Sequence, residues 1–235
     1  MLLNLIEDFI NGQKQNTVLC DLYREYGSDK STWHNYSQLY HKLFTPYLSQ
    51  SINFLEVGLG TNYTDIPSNM GANGKPGASL RAVSRYSDSW NIVGLDVDRR
   101  VLFQEPENRI YTFYVDQLNP KTITDLWEDH FKDTSFEIII DDGLHEFRAN
   151  KIFYEYSIDK LNDDGIYIVE DILNEEMELF KNYFDNIDYD VYLFNLPFEL
   201  NKKDNNMLVI QKSKNGVKYY NPLKQDGSVF TYSTS

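Results

Sequence analysis

Two carboxylates, a glycine and an imidazole stand at the end of an apolar run, Ile138-Ile139-Ile140-Asp141-Asp142-Gly143-Leu144-His145. Three β-branched residues in succession read as a strand buried on both faces. In an open α/β sheet, ligands sit beyond the carboxyl ends of the strands, and this strand delivers Asp141, Asp142 and His145 there. A second run, Gly165-Ile166-Tyr167-Ile168-Val169, ends in Glu170-Asp171. Two neighbouring strands with acidic tips can hold one divalent cation, with His145 beside it as a base. The competing reading is that Asp141 or Asp142 caps the following helix and Glu170-Asp171 is a solvated strand end.

A second group lies upstream. Phe54-Leu55-Glu56-Val57-Gly58-Leu59-Gly60 is a strand running into a glycine turn with an acid before it. Glycines let the backbone pass close to a ligand. Asp96 ends the next strand, where an acid can accept hydrogen bonds from both hydroxyls of a ribose. Asp116-Gln117 ends the third and can address an adenine edge. A dinucleotide site requires a third glycine that opens a helix. Here Thr61-Asn62-Tyr63 intervenes, which favours a nucleoside without phosphates.

The elements that must position these groups follow in order. Residues 1–50 have helical spacing (Leu2, Leu3, Ile6, Phe9, Ile10; then Val18, Leu19, Leu22, Tyr23; then Leu39, Tyr40, Leu43, Phe44) and no strand pattern. They read as a helical N-terminal cap over the sheet edge, interrupted by the polar stretch Ser28–Tyr36. Residues 51–212 alternate strand and helix, which implies a mostly parallel sheet with right-handed crossovers. Tyr189–Leu196 and Asn206–Gln211 make a closing antiparallel pair. Residues 213–235 carry no strong pattern and read as a tail. The glycine turn continues into a loop, residues 58–77, with an Ω-type loop and a wall of the site as its two readings.

The totals narrow the partners. A net charge of −14 in 235 residues repels phosphate backbones and anionic membranes. With 18 Tyr and 14 Phe, a Tyr-rich surface is expected ahead of a stacking cleft. Cys20 is the only cysteine, so no internal disulfide can form. There is no basic leader and no apolar run of about 18 residues, so a reducing cytoplasm is the default and no membrane span is expected. His41 and His130 read as surface and helix-end residues.

Taken together these residues resemble the class I S-adenosylmethionine-dependent methyltransferases. Glu56-x-Gly58-x-Gly60 matches the first motif, Asp96 the second and Asp116 the third. Within that superfamily the chain resembles the metal-dependent sugar O-methyltransferases of macrolide tailoring and capsular polysaccharide type. That resemblance rests on Gly27-Ser28-Asp29-Lys30 with His34 and Tyr36, on Val115-Asp116-Gln117, and on Asp141-Asp142-Gly143-x-His145 with Glu170-Asp171. It implies an α/β Rossmann-like sheet of seven strands, the last antiparallel. It further implies S-adenosylmethionine held by Glu56, Gly58, Gly60, Asp96, Asp116, Gln117 and Asp141, with Lys30, His34 and Tyr36 closing over its methionine end. Asp142, Glu170 and Asp171 would hold Mg²⁺, and His145, with Asp142, would do the chemistry on a sugar or glycan-precursor hydroxyl. Other readings are a phosphorylated or phosphoramidate acceptor, an NAD-dependent oxidoreductase and a non-catalytic nucleoside-binding protein. The oxidoreductase lacks its third glycine and a well-placed Tyr-x-x-x-Lys. The N-terminal helices can cap the site in their own chain or form a homo-oligomer.

Overall fold

Ile138 and Ile140 pack into one apolar layer and Ile139 into another, so the strand bearing Asp141 is covered on both faces. Such a strand needs helices above and below it. The computed structural model, which describes residues 2–12, 15–221 and 232–233, supplies both layers. In chain order the elements are α1 (Leu2–Asn11), α2 (Val18–Tyr26), α3 (Tyr36–Phe44), β1 (Asn53–Val57), α4 (Ala78–Tyr86), β2 (Asn91–Asp96), β3 (Gln104–Glu105), β4 (Ile110–Tyr114), α5 (Pro120–His130), β5 (Phe136–Asp141), α6 (Phe147–Ser157), β6 (Leu161–Ile172), α7 (Met177–Phe184), β7 (Asp190–Asn195), β8 (Asn206–Gln211), β9 (Lys218–Asn221) and β10 (Tyr232–Ser233).

The sheet order is β10-β9-β7-β8-β6-β5-β1-β2-β4-β3. Strands β4, β2, β1, β5 and β6 run parallel, and β8 is antiparallel to both of its neighbours. These six with β7 are the seven expected strands, the last reversed. Three further strands were not expected. β3 and β10 have two residues each and β9 has four, too short to show an alternating pattern. β9 pairs parallel with β7, so residues 218–221 of the expected tail belong to the sheet. The rest of that expectation falls largely on residues 222–231 and 234–235, outside the described residues.

Two other expectations are corrected. The N-terminal helices cover a face of the sheet rather than its edge. Ile6, Phe9, Leu19, Tyr23, Leu39 and Phe44 join α4 residues against Phe54, Ile138, Ile140, Ile166 and Ile168. The reason is supply: α5, α6 and α7 all lie on the other face, and α4 alone is too short to cover the rest. Nor do the tyrosines gather at the surface, since Tyr23, Tyr36, Tyr40 and Tyr167 are fully buried. No helix among the described residues is long and apolar enough to cross a membrane.

The chain leaves β1 toward β2 and returns beside β1 as β5. That reversal opens a crevice at the carboxyl ends of β1 and β5, where an α/β sheet binds its ligand.

Candidate active site

The crevice is a cavity of about 380 Å³, inside the roughly 300–1,000 Å³ range of small-ligand sites. One end is formed by the glycine turn after β1. Gly58 adopts φ +99°, and a Cβ there would stand 1.8 Å from the Asp142 carbonyl oxygen. Only glycine fits, because both conformation and contact exclude a side chain. The Gly58 N–H donates to the Leu95 carbonyl at 2.8 Å. Asp96 pins the turn: its Oδ2 accepts from Leu59 N at 2.8 Å and its Oδ1 from Asp98 N at 2.7 Å. Burial pushes the Asp96 carboxyl up. Beyond the turn, Ile66, Pro67, Ser68, Met70, Gly74 and Lys75 line the cavity, so the 58–77 loop forms a wall of it. Ser68 Oγ ties the loop to the Leu144 carbonyl at 2.9 Å.

The other end is formed by acids. Asp142 Oδ1 meets His145 Nε2 at 3.2 Å, and His145 Nδ1 lies 3.7 Å from Asp171 Oδ2. Burial alone would lower the His145 imidazole, but the hydrogen bond to Asp142 and the charge of Asp171 outweigh it and hold it up at about 10. His145 (φ +59°) and Asp171 (φ +54°) both adopt the left-handed conformation, which is uncommon for residues with a Cβ. Such conformations cost on the order of 1–3 kcal/mol each and gather at functional sites.

The acids find their counter-charge in Lys30. Gly27 ends α2 in the left-handed conformation (φ +85°) and turns the chain inward. The Lys30 ammonium then sits 2.5 Å from Asp142, 2.7 Å from Glu170 and 3.4 Å from Glu56. Burial would lower its pKa, but those three carboxylates raise it well above the ordinary value. Burial pushes Glu170 and Glu56 up, with Lys30 opposing. For Asp142, Lys30 and His145 overcome burial and hold the carboxyl below its usual range. From α3, the Tyr40 hydroxyl donates to Glu170, and the Tyr36 hydroxyl donates to Asp171 at 2.8 Å. His34 Nδ1 lies 3.0 Å from Asn205 Oδ1 and 3.3 Å from Asp171 Oδ1, with its ring stacked on Tyr36.

The structure brings twelve of the fourteen candidate residues to the cavity wall: Lys30, His34, Glu56, Gly58, Gly60, Asp96, Asp116, Gln117, Asp142, His145, Glu170 and Asp171. Tyr36 and Asp141 stand behind it. Asp141 is fully buried and accepts from Gln117 Nε2 at 2.8 Å. Gln117 Oε1 accepts from Leu144 N at 2.9 Å, so its amide braces the β5 turn from the cavity wall. The capping alternative fails. Glu146, not Asp141 or Asp142, precedes α6, and Glu170 is 2% exposed rather than solvated. Sequence reasoning missed Tyr40, Ser79 (Oγ to Glu56 at 2.7 Å) and the place of Lys30. The available signal was charge: acids buried together require donors and cations from elsewhere in the chain.

Asp142, His145 and Asp171 offer two carboxylate oxygens and an imidazole nitrogen within 4.8 Å of one another, a group that could hold a divalent ion. Glu170, expected as a third carboxylate ligand, is turned toward Lys30 and Tyr40.

No family model matches the chain. The 8-demethyl-8-alpha-L-rhamnosyl tetracenomycin-C 2'-O-methyltransferase of Streptomyces olivaceus is 29% identical over 167 residues, 71% of this chain and 41% of that protein. Demethylmacrocin O-methyltransferase of Streptomyces fradiae is 27% identical over 139 residues, 59% of this chain and 32% of that protein. Among solved structures, the MycE methyltransferase of the mycinamycin biosynthetic pathway, in complex with Mg, SAH and mycinamycin VI, superimposes with a TM-score of 0.62 at 20% identity, covering 86% of this chain and 55% of that one. The chain spans less than half the length of these two curated relatives. The structural likeness bears out the Rossmann-like methyltransferase fold, and the relatives bear out the resemblance to sugar O-methyltransferases.

Proposed function

We propose that the chain is an S-adenosylmethionine-dependent O-methyltransferase that methylates a hydroxyl of a sugar or glycan precursor with the help of Mg²⁺. The observation that carries this reading is the joining, in one cavity, of the Gly58–Gly60 turn with Asp96 at one end and Asp142, His145 and Asp171 at the other. Its acidic wall suits a cationic donor. The curated relative named as a rhamnosyl tetracenomycin-C 2'-O-methyltransferase supports the same acceptor class.

When bound, the donor supplies an activated methyl, and a divalent ion supplies positive charge that acidifies a neighbouring hydroxyl. Asp142 and Asp171, with Glu170 behind them, would hold that ion. Asp96 would receive the ribose, and the Gly58–Gly60 backbone would lie against the nucleoside. His145 would accept the proton from the acceptor hydroxyl. For that it must be neutral, and the two carboxylates that raise its pKa are the same ones a cation would engage. His34 and Tyr36 act as positioning groups for Asp171. The net charge of −14 and the single cysteine fit a cytoplasmic enzyme with no nucleic-acid partner.

Calorimetry with S-adenosylhomocysteine, followed by a screen of nucleotide sugars and glycans with labelled donor, tests the proposal. Binding of the product analogue and transfer of label to a sugar are expected. No heat on titration would reject the donor, and label on a phosphoryl group alone would reject the acceptor.

A further inference from the structure

A sulfonium donor has three carbon arms, and the proposed function accounts for two of them. The nucleoside lies against the Gly58–Gly60 turn, and the methyl points toward Asp142, His145 and Asp171. The third arm ends in an ammonium and a carboxylate. An acidic cavity suits the ammonium, but it repels the carboxylate, which needs a cation of its own. Most cations of the cavity are already committed. Lys30 is enclosed by Glu56, Asp142 and Glu170, His145 faces Asp142 and Asp171, and His34 faces Asp171.

Lys75 is different. It lines the cavity, is exposed, and makes no ion pair among the described residues. Its place in the loop is fixed on both sides. Asn62 Nδ2 donates to the Gly74 carbonyl at 2.9 Å, and the Lys75 carbonyl accepts from Ala78 N at 3.0 Å. The side chain runs across Gly27, where a Cβ would stand 2.8 Å from Lys75 Cδ and 3.0 Å from Nζ. The absent side chain at Gly27 leaves the track in which the lysine stem lies.

This stretch of wall adjoins both ends of the cavity. Gly77 N donates to the Leu59 carbonyl at 2.8 Å on the glycine side, and Gly27 leads through Ser28 to Lys30 on the acid side. Elsewhere the loop wall of Ile66, Pro67 and Met70 is apolar and offers a carboxylate no partner.

We propose that Lys75, its stem seated on Gly27, receives the carboxylate of the donor's amino-acid arm. The proposal rests on the reading of the cavity as an S-adenosylmethionine site. It gives Lys75 a place over the donor's methionine end that the sequence suggests for Lys30, whose ammonium already serves three carboxylates. One role of the 58–77 loop is then to carry a positive charge into an acidic site.

The test is calorimetry on the full chain with two ligands, S-adenosylhomocysteine and its decarboxylated analogue, which keeps the ammonium and lacks the carboxylate. In the wild type the first should bind about ten-fold more tightly, the scale of one charge-assisted hydrogen bond. Lys75→Met should weaken S-adenosylhomocysteine by about that factor, leave the analogue unchanged and so abolish the difference between them. Lys75→Arg, which keeps the charge, should preserve most of the difference. A Lys75→Met variant that weakens both ligands equally, or neither, would overturn the proposal while leaving the donor site standing. A wild type that binds neither ligand would reject the donor site and the proposal with it.

Discussion

The two ends of the cavity are built by different means. The glycine end is a backbone construction, fixed by a positive φ at Gly58, by a carbonyl 1.8 Å from where its Cβ would be, and by the Asp96 carboxylate, which accepts two backbone N–H groups. Most of what it needs lies within the first two strands and their loops. The acid end is a balance of charges assembled across the chain: the Lys30 contacts to Asp142 and Glu170 span 112 and 140 residues. Steric demands of the first kind announce themselves as glycines. Electrostatic demands of the second kind appear only when the folded chain brings distant groups together.

Perturbing the acid end should leave the glycine end largely intact, whereas a side chain at Gly58 would also press on the Asp142 main chain. Gly58→Ala should have the largest effect on donor binding, because the new Cβ meets backbone rather than a side chain that can move. Affinity for S-adenosylhomocysteine, measured by calorimetry, should fall about 100-fold or more. An affinity within two-fold of wild type, on the order of 0.4 kcal/mol, would erase the distinction. His145→Ala should lower kcat by about 10²–10⁴ while donor affinity holds, and a rate that stays level would dismiss it as the base. EDTA should suppress turnover, with Mg²⁺ restoring it, and should leave donor binding alone. Turnover that persists in EDTA would take the ion out of the reaction.

Smaller effects sharpen the same contrast. Tyr40→Phe removes the hydroxyl that donates to buried Glu170, so urea unfolding should report a loss of about 1–3 kcal/mol. A neutral result would mean that Lys30 alone satisfies Glu170. At the glycine end, Asp98 is held at about 2 by the Arg100 guanidinium, below its ordinary 3.8. A carboxyl depressed by folding contributes stability above its unfolded pKa and loses it as pH falls through the folded value. The wild type should therefore lose part of its stability between about pH 4 and pH 2, and Asp98→Asn should lack that part of the slope. Identical acid profiles would remove the Arg100 pairing from the account.

What could be read in advance follows the same division. Glu56-x-Gly58-x-Gly60, Asp96 and Asp116 were legible because strand ends and glycine turns leave local patterns. Asp141-Asp142-Gly143-x-His145 was legible as a cluster, but not the division of labour within it. Asp141 turns inward to Gln117, and Asp142 faces both Lys30 and His145. In sequence Lys30 reads as a residue closing over the donor, because nothing in Ser28–Tyr36 reveals that three acids from three strands surround it. Tyr40 looked like one more apolar position of α3, since periodicity marks burial and is silent about a hydroxyl. β9 escaped because four residues, Lys-Tyr-Tyr-Asn, are too few to establish an alternation.

The most direct test is a crystal structure with S-adenosylhomocysteine and Mn²⁺, using the anomalous signal of the metal. The account predicts the nucleoside against the Gly58–Gly60 turn, with its ribose on Asp96, and one manganese at Asp142 and Asp171 beside His145. A nucleoside bound elsewhere, or manganese absent from those carboxylates at saturating concentration, would contradict it.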